Sequence, residues 1–251
     1  MNNPSQSLRV LSYNIHKGFN FGNRKFLLNE MRASIRELQP DLVCLQEVSG
    51  ENIRHKKNLK EYPLESQFEY LADEVWPHFA YGKNAVYQHG HHGNAILSRF
   101  PIARWENIDM STNRFEARGL LHAEISLPNQ SKLHVLTTHL NLLEGGRTLQ
   151  LAKMCEHLKK KLDPSDQVIL AGDFNDWLET VGSRLKSELN FEEAFLKLEG
   201  KHPKTFPSFL PKLSLDRIYF RHLQLSEVSV LSGGHWKNLS DHLPLTALFK
   251  V

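Results

Sequence analysis

The sequence predicts an α+β domain spanning residues 1–251, built from two packed sheets with helices outside. Three observations carry this. Short strand patterns recur from Leu8 to Phe249, a few amphipathic helical stretches separate them, and no linker, tandem repeat or low-complexity tract divides the chain. Polar clusters also sit at strand ends from first to last, as a site assembled from the whole chain requires.

Leu8 to Tyr13 is rich in strand formers and reads as a first strand ending at Asn14. Leu27, Leu28, Met31, Ile35 and Leu38 recur at helical spacing until Pro40 stops the helix. Asp41 to Val48 reads as a buried strand that delivers Gln46 and Glu47 at its carboxyl end. Glu51 to Pro63 is charged and turn-like, a surface loop, and Ser66 to Trp76 carries Phe68, Leu71 and Val75 at helical spacing. Phe79 to Val86, Asn94 to Ser98, Arg118 to Leu127 and Lys132 to His139 follow as short strands. Pro128-Asn129-Gln130 connects the last two as a hairpin. A second helix places Leu149, Ala152, Cys155, Leu158 and Leu162 on one face, and Lys159-Lys160-Lys161 suits the dipole at its end. A buried strand at Val168 to Ala171, a helix near Thr180 to Glu188, and strands at Leu215 to Phe220, Leu225 to Leu231 and Leu245 to Phe249 complete the order.

With 40% hydrophobic and 24% charged residues, the chain can bury a core. A formal charge of +3 tolerates an anionic partner but lacks the basic footprint of a dedicated nucleic-acid binder. Cys44 lies in an apolar run and Cys155 on a helix, so both read as small buried residues of a reduced compartment, with a disulfide the weaker reading. The polar N-terminus has no apolar signal core, and no apolar run is long enough to span a bilayer. A cytoplasmic protein without integral membrane association is expected, and no protein partner is indicated.

Six segments end apolar strands with ionisable or amide residues: Ser12-Tyr13-Asn14, Gln46-Glu47, Thr138-His139-Leu140-Asn141, Gly172-Asp173-Phe174-Asn175-Asp176, Leu215-Asp216-Arg217 and Ser240-Asp241-His242. Each alone reads as an ordinary turn or solvated strand end. Together they supply what phosphate-ester hydrolysis needs: oxygen ligands for a hard cation, groups to orient water, and imidazoles to move protons. Mg2+ keeps several waters, so one carboxylate with one or two helpers suffices. Glu47 is the best first ligand, with the Asn14 amide oxygen and Asp241 as neighbours, and Mn2+ is the natural substitute ion. Zinc fits less well, because there is no His-Glu-x-x-His and no Cys pair at ligand spacing. His89-Gly90-His91-His92 reads as a polar loop rather than a metal site.

The ordered set Ser-Tyr-Asn, Leu-Gln-Glu-Val, Gly-Asn-Ala-Ile-Leu-Ser-Arg, Thr-His-Leu, Gly-Asp-Phe-Asn-Asp, Leu-Asp-Arg-Ile and Ser-Asp-His resembles the endonuclease/exonuclease/phosphatase (DNase I-like) superfamily from Asn14 to His242. Asn14-Ile15-His16-Lys17-Gly18 and His91-His92-Gly93-Asn94-Ala95 look closest to a bacterial YbhP-like subgroup. The resemblance implies a four-layer α/β sandwich, two mostly antiparallel sheets flanked by helices, with the site between the sheets. It makes Glu47 the principal metal ligand, assisted by Asn14 and Asp241. Asp173 and Asn175 would hold the attacking water and a phosphate oxygen. Asp216 would pair with His242, fixing its tautomer and favouring the charged ring, and His139 would be a second proton-handling or phosphate-stabilising group. Either Asp173 or His242 is the general base on this reading. Arg118 and Asn141 are candidate phosphate contacts, although an ordinary strand-end arginine explains Arg118 equally well.

His139 and Asp216-Arg217 look more like the DNase I, phosphatase and sphingomyelinase branches than the repair nucleases. Ser214-Leu215 departs from the Trp-Cys that precedes Asp-Arg in inositol phosphatases. The favoured reading is a metal-dependent phosphodiesterase of nucleic acid or a phospholipid headgroup. A phosphomonoesterase of inositol phosphates or another small metabolite, and a non-catalytic binding member, are the alternatives. The loops Thr205 to Pro211 and Gly233 to Lys237 carry aromatics that either touch substrate or cap the core. The basic run Arg54 to Lys60 either grips phosphates or is a solvated loop.

Overall fold

The structure, a computed structural model, describes residues 7–73, 75–114 and 116–251. Among these residues two six-stranded sheets form, their strands numbered here along the chain. The first has the order β11 (Gln224–Val230), β12 (Leu245–Lys250), β1 (Ser7–Asn14), β2 (Leu42–Asn52), β4 (Gly90–Ser98), β3 (His78–Tyr87). The second runs β5 (Ile102–Asp109), β6 (Gly119–Ser126), β7 (Lys132–His139), β8 (Gln167–Asp173), β10 (Asp216–Arg221), β9 (Glu192–Glu193). β1 pairs with β2 in parallel and β7 with β8 in parallel, whereas the other pairings are antiparallel.

Alternation along each strand sorts side chains into layers. Leu8 and Val10 join Leu42, Leu121, Ala123, Val135 and Ile169 in a core between the sheets. Leu11 and Tyr13 point the other way, onto Met31 and Ile35 of α1 (Leu28–Leu38) and Leu71 of α3 (Gln67–Ala72). On the far side, Leu120 and Leu136 pack on Leu151, Met154 and Leu158 of α4 (Glu144–Lys161) and Leu185 of α5 (Val181–Leu189). Each fully buried side chain of this kind contributes roughly 1.5–3 kcal/mol. The result is helix, sheet, sheet, helix: the four-layer sandwich that the resemblance implies.

Local signals set the helix ends. α1 stops where Gln39 turns left-handed (φ 51) before Pro40, and α3 starts with a capping box between Ser66 and Glu69. Four short helices and strands escape the sequence pattern: α2 (Ile53–Asn58), β9, α6 (Ala194–Glu199) and α7 (Trp236–Leu239). So does β5, because a half-exposed edge strand needs no apolar alternation; its Ala103, Arg104 and Trp105 face solvent. The polar loop expected at His91-His92 is instead part of β4, hydrogen-bonded to β2 on one side and β3 on the other. Cys44 and Cys155 are buried and unbridged. No helix among the described residues is long and apolar enough to cross a membrane.

Candidate active site

Strand register brings the polar strand ends together. In the first sheet Asn14 lies opposite Gln46 on parallel neighbours. In the second, His139 lies opposite Asp173, and Asp173 opposite Asp216, so three ionisable groups form one row. At this end the apolar core between the sheets gives way to amides that bridge them. Gln46 Nε2 donates to Thr137 Oγ1 (2.8 Å), Asn94 Nδ2 to the Gly119 carbonyl (3.0 Å), and Asn14 Nδ2 to Asp173 Oδ2 (3.0 Å). These bonds form the floor of a cleft.

Glu47 enters the cleft because β2 bulges there. Leu45 pairs with Ala95 but Val48 pairs with Gly93, so one extra residue is accommodated, and Glu47 takes φ 55. Its carboxylate accepts a bond from Lys17 Nζ (2.6 Å), while His139 Nδ1 lies 3.9 Å from its other oxygen. Burial opposes ionisation of Glu47, but Lys17, His139 and His16 outweigh it and hold the carboxyl far below the ordinary range. Asp241, just before β12, meets His16 Nδ1 at 3.0 Å.

Asp173 is the hub of the opposite wall. Its Oδ1 accepts the Asn175 backbone N–H (3.0 Å), and its Oδ2 lies 3.4 Å from His139 Nε2 and 3.6 Å from His242 Nε2. Asn175, at φ 49, turns its amide to donate to the Leu140 carbonyl (3.0 Å). His242 Nδ1–H donates to Asp216 Oδ2 (2.8 Å), which also accepts the Thr205 hydroxyl (2.5 Å). The two cleft imidazoles are therefore in opposite states. Burial would discharge His242, but Asp216, then Asp173 and Asp241, override it and push its pKa up to about 10. Burial, reinforced by the Arg118 cation and opposed by Asp173, brings His139 down to about 4. At neutral pH His242 is a cation and His139 is not.

Arg118 belongs to this cleft, as its charge acts on both His139 and His92, and its buried Nε has no hydrogen bond among the described residues. Asn141 stands apart from the cluster. Its Nδ2 donates to Thr112 and its Oδ1 accepts from Gln150 of α4, both at 2.8 Å. That ties down the loop whose far end carries Arg118, rather than presenting the amide to the cleft. The Asn14 amide oxygen accepts the His16 backbone N–H (3.1 Å), so this side chain positions Asp173 and the following turn. Of the aromatic loops, Phe206 packs on the His242 ring (5.0 Å between centroids), and Trp236 caps Tyr13 from outside the first sheet.

Three cleft residues carry no role in the sequence reading: His16, Lys17 and His92. The first two sit on a short turn with φ 45 and 56, which returns both side chains to the carboxylates. The segment Asn14 to Gly18 was visible as a motif, but its chain reversal was not. His92 reaches the cleft only because β4 extends to Gly90.

Glu47 and Asp241 suit a hard cation. Both are ionisable oxygen donors at the cleft, and each already holds a cationic or imidazole nitrogen at 2.6 and 3.0 Å, respectively. Asp173, Asp216 and His242 also cluster closely enough to share an ion. That set includes an imidazole, which already donates to Asp216, whereas Glu47 and Asp241 offer carboxylate oxygens, the donors a hard cation prefers.

Comparison with known proteins agrees with this fold. The sequence pattern of the Endonuclease/Exonuclease/phosphatase family matches residues 11–242. The uncharacterized protein YbhP of Escherichia coli (strain K12) is 44% identical over 242 residues, covering 96% of this chain and 95% of YbhP. Among solved structures, the human Nocturnin catalytic domain with bound sulfate anion superposes with TM-score 0.74 at 19% identity, over 97% of this chain and 93% of that one. D. rerio TDP2 complexed with single strand DNA product gives TM-score 0.72 at 19% identity, over 98% and 100%. With its strand-end motifs gathered in one cleft and residues 11–242 matched by the family pattern, the chain belongs to the endonuclease/exonuclease/phosphatase family.

Proposed function

We propose that the chain is a Mg2+-dependent phosphodiesterase acting on nucleic acid or a phospholipid headgroup, with Mn2+ as a substitute ion. One observation carries this: a carboxylate pair suited to a hard cation, Glu47 and Asp241, shares a single cleft with Asp173 and the hydrogen-bonded His242–Asp216 pair. Glu47 and Asp241 would hold a divalent cation, which would supply charge neutralisation on the phosphoryl and leaving oxygens. Asp173 takes the proton of the attacking water, held in place by Asn14 and the Asn175 N–H. This role falls to Asp173 because His242 is already protonated at neutral pH. His242 instead faces the developing phosphoryl charge as a fixed cation. Neutral His139 and the Asn175 amide complete the wall against a phosphate oxygen, and Arg118, braced by its loop, clamps a second one.

A diester substrate draws support from D. rerio TDP2, whose structure holds a single strand DNA product. The test is a panel of plasmid DNA, RNA, phospholipids, sphingomyelin and inositol phosphates, assayed with Mg2+ and with chelator. Diester cleavage that chelator removes is expected. Phosphate release from monoesters alone would replace this reading with a phosphomonoesterase.

A further inference from the structure

A second cluster of ionisable side chains lies on the opposite face of the second sheet. Leu121, Ala123 and Val135 point into the core between the sheets, so His122 on β6 and His134 on β7 project outward beneath α4. There His122 Nδ1 meets His157 of α4, and His157 meets Glu106 of the edge strand β5. A cavity of about 260 Å³ opens beside them, lined by Glu106, His122, His134 and Lys161.

The spacings are long for hydrogen bonds and compatible with shared ligation. His122 Nδ1 and His157 Nε2 are 3.5 Å apart, and His157 Nε2 and Glu106 Oε1 are 3.7 Å apart. Both exceed the ordinary N–H···N or N–H···O range of about 2.7–3.2 Å. Both approach the roughly 3.3 Å that separates ligand atoms around a tetrahedral zinc with about 2.0–2.1 Å bonds. All three ligand atoms lie within 4.8 Å of one another. By contrast, His122 Nε2 and His134 Nδ1 stand at a true hydrogen-bond distance of 2.9 Å.

The surroundings also set the tautomer. Asp166 Oδ2 lies 3.5 Å from His134 Nε2 and draws that ring's proton to this side. His134 Nδ1 then accepts, so His122 carries its proton on Nε2 and keeps a bare Nδ1 facing His157 and Glu106. A carboxylate–His–His relay of this kind orients a metal-binding imidazole. Lys161 Nζ, 3.0 Å from Glu106 Oε1, is the cation now on the carboxylate, at the end of an exposed and movable side chain.

We propose that Glu106, His122 and His157 form a three-ligand site for a zinc-class divalent transition cation, separate from the hydrolytic cleft, with His134 and Asp166 orienting His122. Two imidazoles and one carboxylate suit Zn2+ or Co2+ far better than Mg2+, and a fourth position stays open to water. An ion there fastens the edge strand β5 to α4 across β6, so its effect is on stability rather than turnover. Sequence spacing conceals the site, since its ligands stand on two strands and a helix well separated in the chain.

The test uses the full chain with Glu47→Gln and Asp241→Asn, which removes the two carboxylates assigned to the cleft cation, stripped with chelator and titrated with Co2+. The expected result is one equivalent of Co2+ with the visible absorption of a four- or five-coordinate ion, displaced by Zn2+, and a thermal midpoint that rises with Zn2+. Adding His157→Gln or Glu106→Gln, neither fully buried, should weaken binding by about 100-fold or more. His134→Gln should weaken it by about 10–100-fold, as loss of an orienting partner does. Circular dichroism checks that each variant is folded. No stoichiometric Co2+ in the parent, or Co2+ binding and Zn2+ stabilisation unchanged by His157→Gln and Glu106→Gln, would overturn the assignment.

Discussion

Replacing Asp216 with Asn separates the two proton roles in the cleft. The change keeps the side chain's shape but removes the largest influence holding a charge on His242. That ring is raised from 6.5 to about 10 against its own burial, which corresponds to roughly 5 kcal/mol in favour of the charged form. Without Asp216, burial acts against only Asp173 and Asp241, and the ring returns to about its ordinary value or below. If His242 works as a fixed cation, kcat/KM of the native chain on bis(p-nitrophenyl) phosphate should not fall between about pH 6.5 and 9 through this group. In Asp216→Asn, kcat/KM should fall about tenfold per pH unit above neutrality, while much of it survives near pH 6. The stability sign is fixed in the same way. Because the folded pKa is raised, the stability from His242 is fully present below 6.5 and is lost as pH rises through about 10. The variant should therefore be less stable than the native chain at pH 7, with the gap closing toward pH 10. A constant ratio of native to variant kcat/KM across the range would refute the reasoning. So would native activity that climbs steadily to pH 10, because His242 would then be the base.

Three further outcomes follow from the same geometry. Glu47→Ala should reduce Mg2+-dependent diester cleavage at least about 1000-fold, as expected for loss of a principal metal ligand, with an unchanged circular dichroism spectrum. Retained turnover would remove Glu47 from the mechanism. Glu47→Gly should match it in inactivity yet be about 1 kcal/mol more stable in urea titrations, because only glycine accepts φ 55 without strain; equal stabilities would argue against strain at the bulge. Gly172→Ala should destabilise the fold by about 2 kcal/mol or more and disturb Asp173, since its new Cβ would lie 2.1 Å from the Thr138 carbonyl oxygen at φ 154. A thermal midpoint unaltered by that change would contradict the packing.

Much of the fold is legible because burial leaves a period. Leu8, Val10 and Leu11, or Leu27 to Leu38, announce their elements through the faces they must hide. β5 leaves no such trace: an edge strand buries little, and Arg104 with Trp105 reads as surface. The same contrast holds in the cleft. Asn14, His139, Asp173 and Asp216 are legible as polar residues at the ends of apolar strands, and register then aligns them, whereas Asp241 and His242 join them from the segment between α7 and β12. His16 and Lys17 depend on a left-handed turn, and His92 on how far a hairpin extends, neither of which composition encodes. Asn141 shows the opposite case. It shares a strand end with His139, yet two residues further on the chain has already turned toward α4.

Backbone strain explains why these residues can meet at all. His16, Lys17, Glu47 and Asn175 all have positive φ, a conformation costing a non-glycine residue roughly 1–2 kcal/mol. Each is held by bonds that a relaxed backbone would break. Val48 and Leu45 are paired on either side of Glu47, the Asn14 oxygen accepts the His16 N–H, and Asp173 with the Leu140 carbonyl fixes Asn175. Regular strands would send alternate side chains to opposite faces and leave Glu47 out of the cleft that Asp173 occupies. The bulge and the turn break that alternation at the points where carboxylates must converge. Like charges brought together in this way repel, so the arrangement stands only because Lys17, His16 and charged His242 are interleaved with Glu47, Asp241 and Asp173. The cleft thus carries its own opposing groups before any substrate arrives. An incoming phosphate or cation must exchange with a resident partner instead of entering an unopposed field.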